Sequence, residues 1–247
     1  MGHKYVNPPV VEAVCEFRFA PSTPWDTSIA ARLYERMKHV FPREERRDIH
    51  ELEVVQTEVG IEPKVRQTER FMFLSADGNE FIQVGPQLLA TNRLKPYVSW
   101  EAYQPTIALA FEALMSVVPV DSIERIGLRY INRIEIASAN VTLDDYFEFR
   151  PYTGERLPKA MAAFRLAGLF AFDDRRAGCK IELANAIAET PEATAFLLDI
   201  DYFTTEAESV GIHQALEWVW NAHQRVEDVF EGCITDRLRE MFGEAQP

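Results

Sequence analysis

"SIERIGLRYINRIEI", residues 122–136, places an arginine at every fourth position: Arg125, Arg129 and Arg133. A spacing of four fits a helix face and, because four is even, a strand face as well. The intervening residues decide. Gly127 mid-segment, the isoleucines and Tyr130 favour a strand. The even positions Ile126, Leu128, Tyr130, Ile134 and Ile136 are apolar, while the odd positions hold the three arginines and Glu135. A strand over 123–136 therefore puts the arginines on one face, successive ones about 13 Å apart at ~3.3 Å per residue.

The same alternation opens the chain. In "VVEAVCEFRFAP", Val11, Ala13, Cys15, Phe17 and Phe19 point one way and Glu12, Glu16 and Arg18 the other, as on a strand with one buried face. If the two strands are neighbours, Glu12 and Glu16 form a cross-strand ladder with the arginines, each exposed pair contributing roughly 0.2–1 kcal/mol. The second reading of the arginine row is an anion-binding groove, in which guanidinium forks grip phosphate or carboxylate. Its candidate residues are Arg125, Arg129 and Arg133, with Asn132, Asn92 and Arg93 beside Tyr130.

Working outward, "STPWDTSIAARLYERMKHVFP" reads as a helix capped by Asp26 or Thr27, with an apolar stripe of Ile29, Leu33, Met37, Val40 and Phe41 and an end at Pro42. "PREERRDIHE" reads as a charged surface link. Strands follow in "ELEVVQTEV", "RQTERFMFLS", "NEFIQVG" and "QLLATNRL", with "ADGN" as a hairpin turn. "WEAYQPTIALAFEALMSVV" is a helix with Pro105 in its first turn and Pro119 past its end.

The second half repeats this order. After the arginine strand come a helical turn in "TLDDYFEF" and strands in "AFRLAGLFAFDD", "CKIELANAIAE" and "ATAFLLDIDYF", with "DDRRAG" as a turn. A long helix from about 211 to 242 closes the chain on a stripe of Ile212, Leu216, Val219, Val226, Phe230, Ile234, Leu238 and Met241. The fold class is α+β, with mostly antiparallel sheet and two similarly ordered strand–helix–strands–helix halves. It is expected as one compact unit over 1–247, with lobes 1–120 and 121–247.

Composition narrows the function classes. Of 247 residues, 47% are hydrophobic and 26% charged, which supplies an ordinary globular core. The net charge of −13 argues against a broad duplex-binding surface, which needs clustered cations. Cys15, Cys179 and Cys233 have neither pairing nor metal-ligand spacing, so reduced, buried thiols in a cytoplasmic protein are expected. The start carries no apolar signal core, and no apolar run approaches the roughly 18–20 residues of a membrane span.

Other constellations are thin. Asp199 and Asp201 share a strand face about 7 Å apart and could bind Mg²⁺, with Lys180 and Glu182 completing a nuclease-like set. The plainer reading is an outward polar face. His223 and Glu227 stand at i, i+4 without an evident third ligand, so a surface pair or packing contact is expected rather than a metal site. The glycine-rich nucleotide, P-loop, nucleophile-elbow and zinc-protease signatures are missing, and nothing asks for a cofactor.

Five segments in order, "KYVNPPVVEAVCEFRF", "QVGPQLLATNRLKPYVSWEAYQP", "ERIGLRYINRIEI", "FLLDIDYF" and "AHQRVEDVFEGCITDRLREMFG", together resemble a sporadically distributed bacterial family of uncharacterised proteins of about this length. The resemblance spans Tyr5 to Phe242. It implies no activity or catalytic residue; patchy distribution of this kind is similar to that of accessory genes, including defence cargo. The expectation is a non-enzymatic cytoplasmic protein that binds a protein partner or a small anionic ligand. A metal-dependent phosphodiesterase or nuclease using Asp199 and Asp201 is the alternative, and single-stranded nucleic-acid binding a further one. Oligomeric state is left open.

Overall fold

In the computed structural model the arginine stretch is a strand, β6 (Ile123–Ile136), with the expected alternation: Ile126, Leu128, Tyr130, Ile134 and Ile136 are buried while Arg129 is exposed. The structure describes residues 5–57, 60–158, 161–172 and 175–243, and side chains of 49–57 and 60–67 lie outside the description. The "DDRRAG" turn falls partly outside the described residues.

The other elements are β1 (Val10–Phe19), α1 (Thr27–Met37), β2 (Arg43–Thr57), β3 (Gly60–Leu74), β4 (Glu80–Gly85), β5 (Leu88–Leu94), α2 (Trp100–Met115), β7 (Arg165–Phe172), β8 (Ala177–Ala186), β9 (Thr194–Thr204), α3 (Ala215–Cys233) and α4 (Asp236–Phe242). The strands form one antiparallel sheet in the order β2-β3-β4-β5-β1-β6-β9-β8-β7. The fold is α+β, as the alternating and helical periods require. Among the described residues, no helix is long and apolar enough to cross a membrane.

Two compact units are distinguished, and they do not follow chain order. One comprises Glu16–Arg93 and Val98–Glu124; the other comprises Met1–Cys15, Leu94–Tyr97 and Arg125–Pro247. In the first, Asp26 caps α1 by accepting from the Ser28 and Ile29 amides, and Ile29, Leu33 and Met37 turn inward. Phe17 meets Phe111 of α2 with ring centroids 4.8 Å apart. Tyr103, buried on α2, donates its hydroxyl to the Thr91 carbonyl at 2.6 Å, which satisfies its polar tip inside the core. In the second unit, Val219, Ala222 and Val226 of α3 are buried, Trp218 stacks on Tyr202 of β9 at 5.7 Å, and Phe147 meets Phe196 edge-on at 5.2 Å.

Three local expectations are corrected. "PREERRDIHE" is not a link: it is the first part of β2, paired with β3 from Arg43↔Leu74 to Thr57↔Gly60. A strand that ends the sheet order needs only a backbone ladder and cross-strand pairs, and Arg46 supplies one by reaching Glu69 and covering the Phe71 ring. Pro105 is not in the first turn of α2, because Ser99 caps the helix five residues earlier than a start at Pro105 would need; its hydroxyl accepts from the Ala102 amide. The closing helix is not continuous. It breaks at Ile234, whose backbone is extended and bridges Phe147. The Phe149 and Glu148 amides donate to the Cys233 carbonyl, and the Thr235 amide donates to Tyr146. Phe147 and Ile234 are both buried, so the break exchanges one helical turn for an apolar contact between distant segments.

Candidate functional site: the charged face of the β6–β9–β8–β7 sheet

Alternation along β6 leaves the arginine face open on the side opposite α3's packing partners. Acids of β9 and of β6 itself hold the arginines. Arg129 forms a fork with Asp199 of β9: Nε donates to Oδ1 at 2.8 Å and Nη2 to Oδ2 at 2.5 Å. Arg125 Nη2 donates to Asp201 Oδ2 at 2.9 Å, and its guanidinium lies 4.5 Å from the Phe203 ring centroid. Arg133 donates to Glu135 at 3.0 Å and to the Ile187 carbonyl at 2.6 Å. Asp199 raises the Arg129 guanidinium above its ordinary value, chiefly through these hydrogen bonds, and Glu12 adds to its field.

β1 and β6 are neighbours in the sheet, as the ladder of Glu12 and Glu16 with the arginines supposes, and Glu12 is among the acids that act on Arg129. Glu16 accepts from Arg18 of its own strand at 2.8 Å. In the register of β6 with β9, Arg129↔Asp201 and Ile131↔Asp199 are partners. Two acids on that strand face meet two arginines spaced by four, and both bridges run diagonally: Arg129 reaches Asp199 rather than its partner Asp201, and Arg125 reaches Asp201.

The charge pattern continues across the sheet. Lys180 and Glu182 of β8 lie opposite Asp201 and Asp199. Glu182 accepts from Arg165 of β7 at 2.9 Å and from Lys180 at 3.3 Å. Arg165 is the first cause that holds the Glu182 carboxyl below the usual range. Gly127 was read only as a strand marker; its second role is spatial. A Cβ there would sit 2.5 Å from Arg125 Nη1, so the missing side chain gives the guanidinium its place on the sheet.

The six residues proposed for an anion groove are not all on one strand face. Arg125, Arg129 and Arg133 share a face. Asn132 points the other way: it is buried, and its Nδ2 donates to the Leu198 carbonyl at 3.1 Å. An even position on this strand faces the core, and this asparagine satisfies its amide there. Asn92 and Arg93 belong to the other unit, where buried Asn92 accepts from Gln83 at 2.8 Å and Arg93 pairs with Glu80 at 2.6 Å.

Asp199 and Asp201, the candidate metal pair, have guanidinium partners in the positions a cation would take. Among the described residues no group of three or more His, Cys, Asp or Glu side chains is placed to hold a metal ion. A separate cleft of about 510 Å³ beside the α3–α4 break is lined by Asp144, Asp145, Glu231, Asp236, Arg237 and Arg239. Arg239 spans Glu231 and Asp236, and Arg237 reaches Asp145. No protein-family model matches the chain, and no curated protein matches it significantly.

Proposed function

We propose that the protein is a non-enzymatic binding protein that engages a protein partner through the charged face of β6, β9, β8 and β7. The observation that carries this reading is the alternation of held cations and carboxylates across an open sheet face. A small anion would have to displace Asp199 from a two-point fork. A protein surface with its own charges of both signs can extend the network without breaking it, and such complementarity governs association rate and register. Nucleic acid fits less well, because carboxylates interleave the arginines where phosphates would lie. The same reading keeps a cytoplasmic location, which three buried free thiols support.

The test is native mass spectrometry of the untagged protein purified from its source cells, beside an Arg129→Glu/Lys180→Glu variant of unchanged melting temperature. A partner protein that accompanies the wild type, is lost from the variant and associates more slowly at high salt supports the proposal. A melting shift with phosphate or mononucleotides would turn it toward a small anion. Mg²⁺-dependent phosphodiester hydrolysis that Asp199→Asn abolishes would replace it with the enzymatic alternative.

A further inference from the structure

β7 ends the sheet order, with β8 as its neighbour on one side. Directly opposed residues of an antiparallel pair alternate between exchanging both N–H···O bonds and exchanging none. The Asn185 amide donates to the Phe164 carbonyl at 3.3 Å, and these two residues extend the β7–β8 register by one step. The bonded residues of β7 are therefore Leu166, Gly168, Phe170 and Phe172. The N–H and C=O groups of Arg165, Ala167, Leu169 and Ala171 point away from β8. All four residues are exposed, and among the described residues no hydrogen bond from another segment reaches their backbone.

The side chains of the same four residues lie on the charged face, since Leu169 opposes Lys180 and Ala167 opposes Glu182. Arg165 is 70% exposed and Lys180 49%, and the two share one carboxylate, Glu182, which is 15% exposed. That corner of the sheet therefore presents more positive than negative charge. Leu169, one turn of the alternation further along, stands mostly in water. A free edge of this kind takes another strand: main-chain bonds hold it, and alternate side chains select it. A second copy of β7 is a poor occupant, because everything after Arg165 is apolar or glycine and brings no carboxylate to that corner.

We propose that the outer edge of β7 docks an extended, antiparallel segment of a protein partner, with a carboxylate beside Arg165 and an apolar side chain beside Leu169. The strand direction puts the apolar residue four positions before the acid in the partner, as Leu169 lies four positions after Arg165. Antiparallel pairing is the direction in which each outward residue exchanges both bonds with its opposite. The inference rests on the proposed protein-binding role for the source of the segment, and it adds the chemistry by which that segment is chosen.

The test is amide hydrogen exchange by NMR on the full, ¹⁵N-labelled chain with the probe peptide acetyl-Ser-Thr-Val-Ile-Thr-Ile-Glu-Ser-amide. The expected result is slowed exchange at the Arg165, Ala167, Leu169 and Ala171 amides. N-methyl groups on Val and on the Thr between the two Ile block the donors aimed at the edge and should abolish binding. N-methyl groups on the two Ile should leave it. Arg165→Gln, or Lys for Glu in the peptide, should weaken binding about two- to fivefold, the size of an exposed charge pair. No protection along β7, equal loss from both methylated peptides, or unchanged affinity in Arg165→Gln overturns the proposal; the methylated peptides decide without any variant protein. Protection of the four amides before peptide is added, with a dimeric mass in sedimentation equilibrium, gives the edge to a second copy and also overturns it. Failure here is distinct from failure of the charged-face reading. A partner lost from Arg129→Glu/Lys180→Glu beside a peptide that does not bind removes the edge alone. A peptide held on β7 with no partner accompanying the purified protein removes the face alone.

Discussion

Arg129 grips Asp199 at two points, yet its side chain remains 46% exposed. Exposure decides the energetics, because water screens the pair and both side chains lose freedom to make it. Arg129→Met is expected to cost less than about 1 kcal/mol in urea unfolding, with a coupling to Asp199→Asn of similar size. A loss of about 3–5 kcal/mol would instead mark a buried pair. Glu182 has a pH signature. Its carboxyl, depressed first by Arg165, adds stability above the unfolded glutamate value of about 4.3, and that stability is lost as pH falls below it. Glu182→Gln should therefore lower the melting temperature at neutral pH, leave it little changed at acid pH, and so flatten the acid limb of the profile. Burial acts oppositely on Cys179 and Cys233, whose thiols are pushed up to about 12. The folded state favours the thiol, so this contribution is full below the unfolded value of about 8.5 and declines as pH rises through it. Neither thiol should react with a thiol reagent at pH 8 until denaturant is added. The face that each β6 residue takes was legible because strand period is local. The partner of Arg129 was not, because Asp199 lies 70 positions away and only the sheet order brings β9 beside β6.

Helical periodicity found α3 and α4 but not the break between them. Ile234 fits an apolar stripe as well as it fits an extended bridge, and the residue it bridges, Phe147, is remote in sequence. After the break the helix face is reset. Leu238 is fully buried whereas Met241 is 42% exposed, although the stripe treats them alike. Tyr5 shows what α4 covers: its ring meets Phe242 edge-on at 5.4 Å, and its hydroxyl donates to Glu231 at 2.6 Å. Leu238→Ala should thus cost about 2–5 kcal/mol, the range for emptying a core site. Met241→Ala should stay within about 0.5 kcal/mol. Equal losses from the two would restore the continuous helix. The charged start of β2 escaped the sequence for a related reason: it has no buried face, so its pairing with β3 leaves no apolar period to read.

At the scale of the molecule, the two ends of the sheet differ in chemistry. β2 ends the order with "REERRD" along its described side chains, a charged edge that resists pairing with another chain. β7 ends it with "RLAGLFAF", in which every residue after Arg165 is apolar or glycine. Leu169 is 71% exposed and Phe170 43% exposed there. An apolar strand at a sheet end presents both backbone groups and side chains to a second strand, which is the physical condition for edge-to-edge association. A charge placed at its middle removes that condition without touching a core contact, since Leu169 is mostly in water. Leu169→Lys should therefore leave the melting temperature within a few degrees of wild type. It should also raise the concentration at which light scattering first appears. Wild-type protein that stays monodisperse to the same concentration as the variant would show that β7 is protected by its twist or its flanks rather than exposed as an adhesive edge.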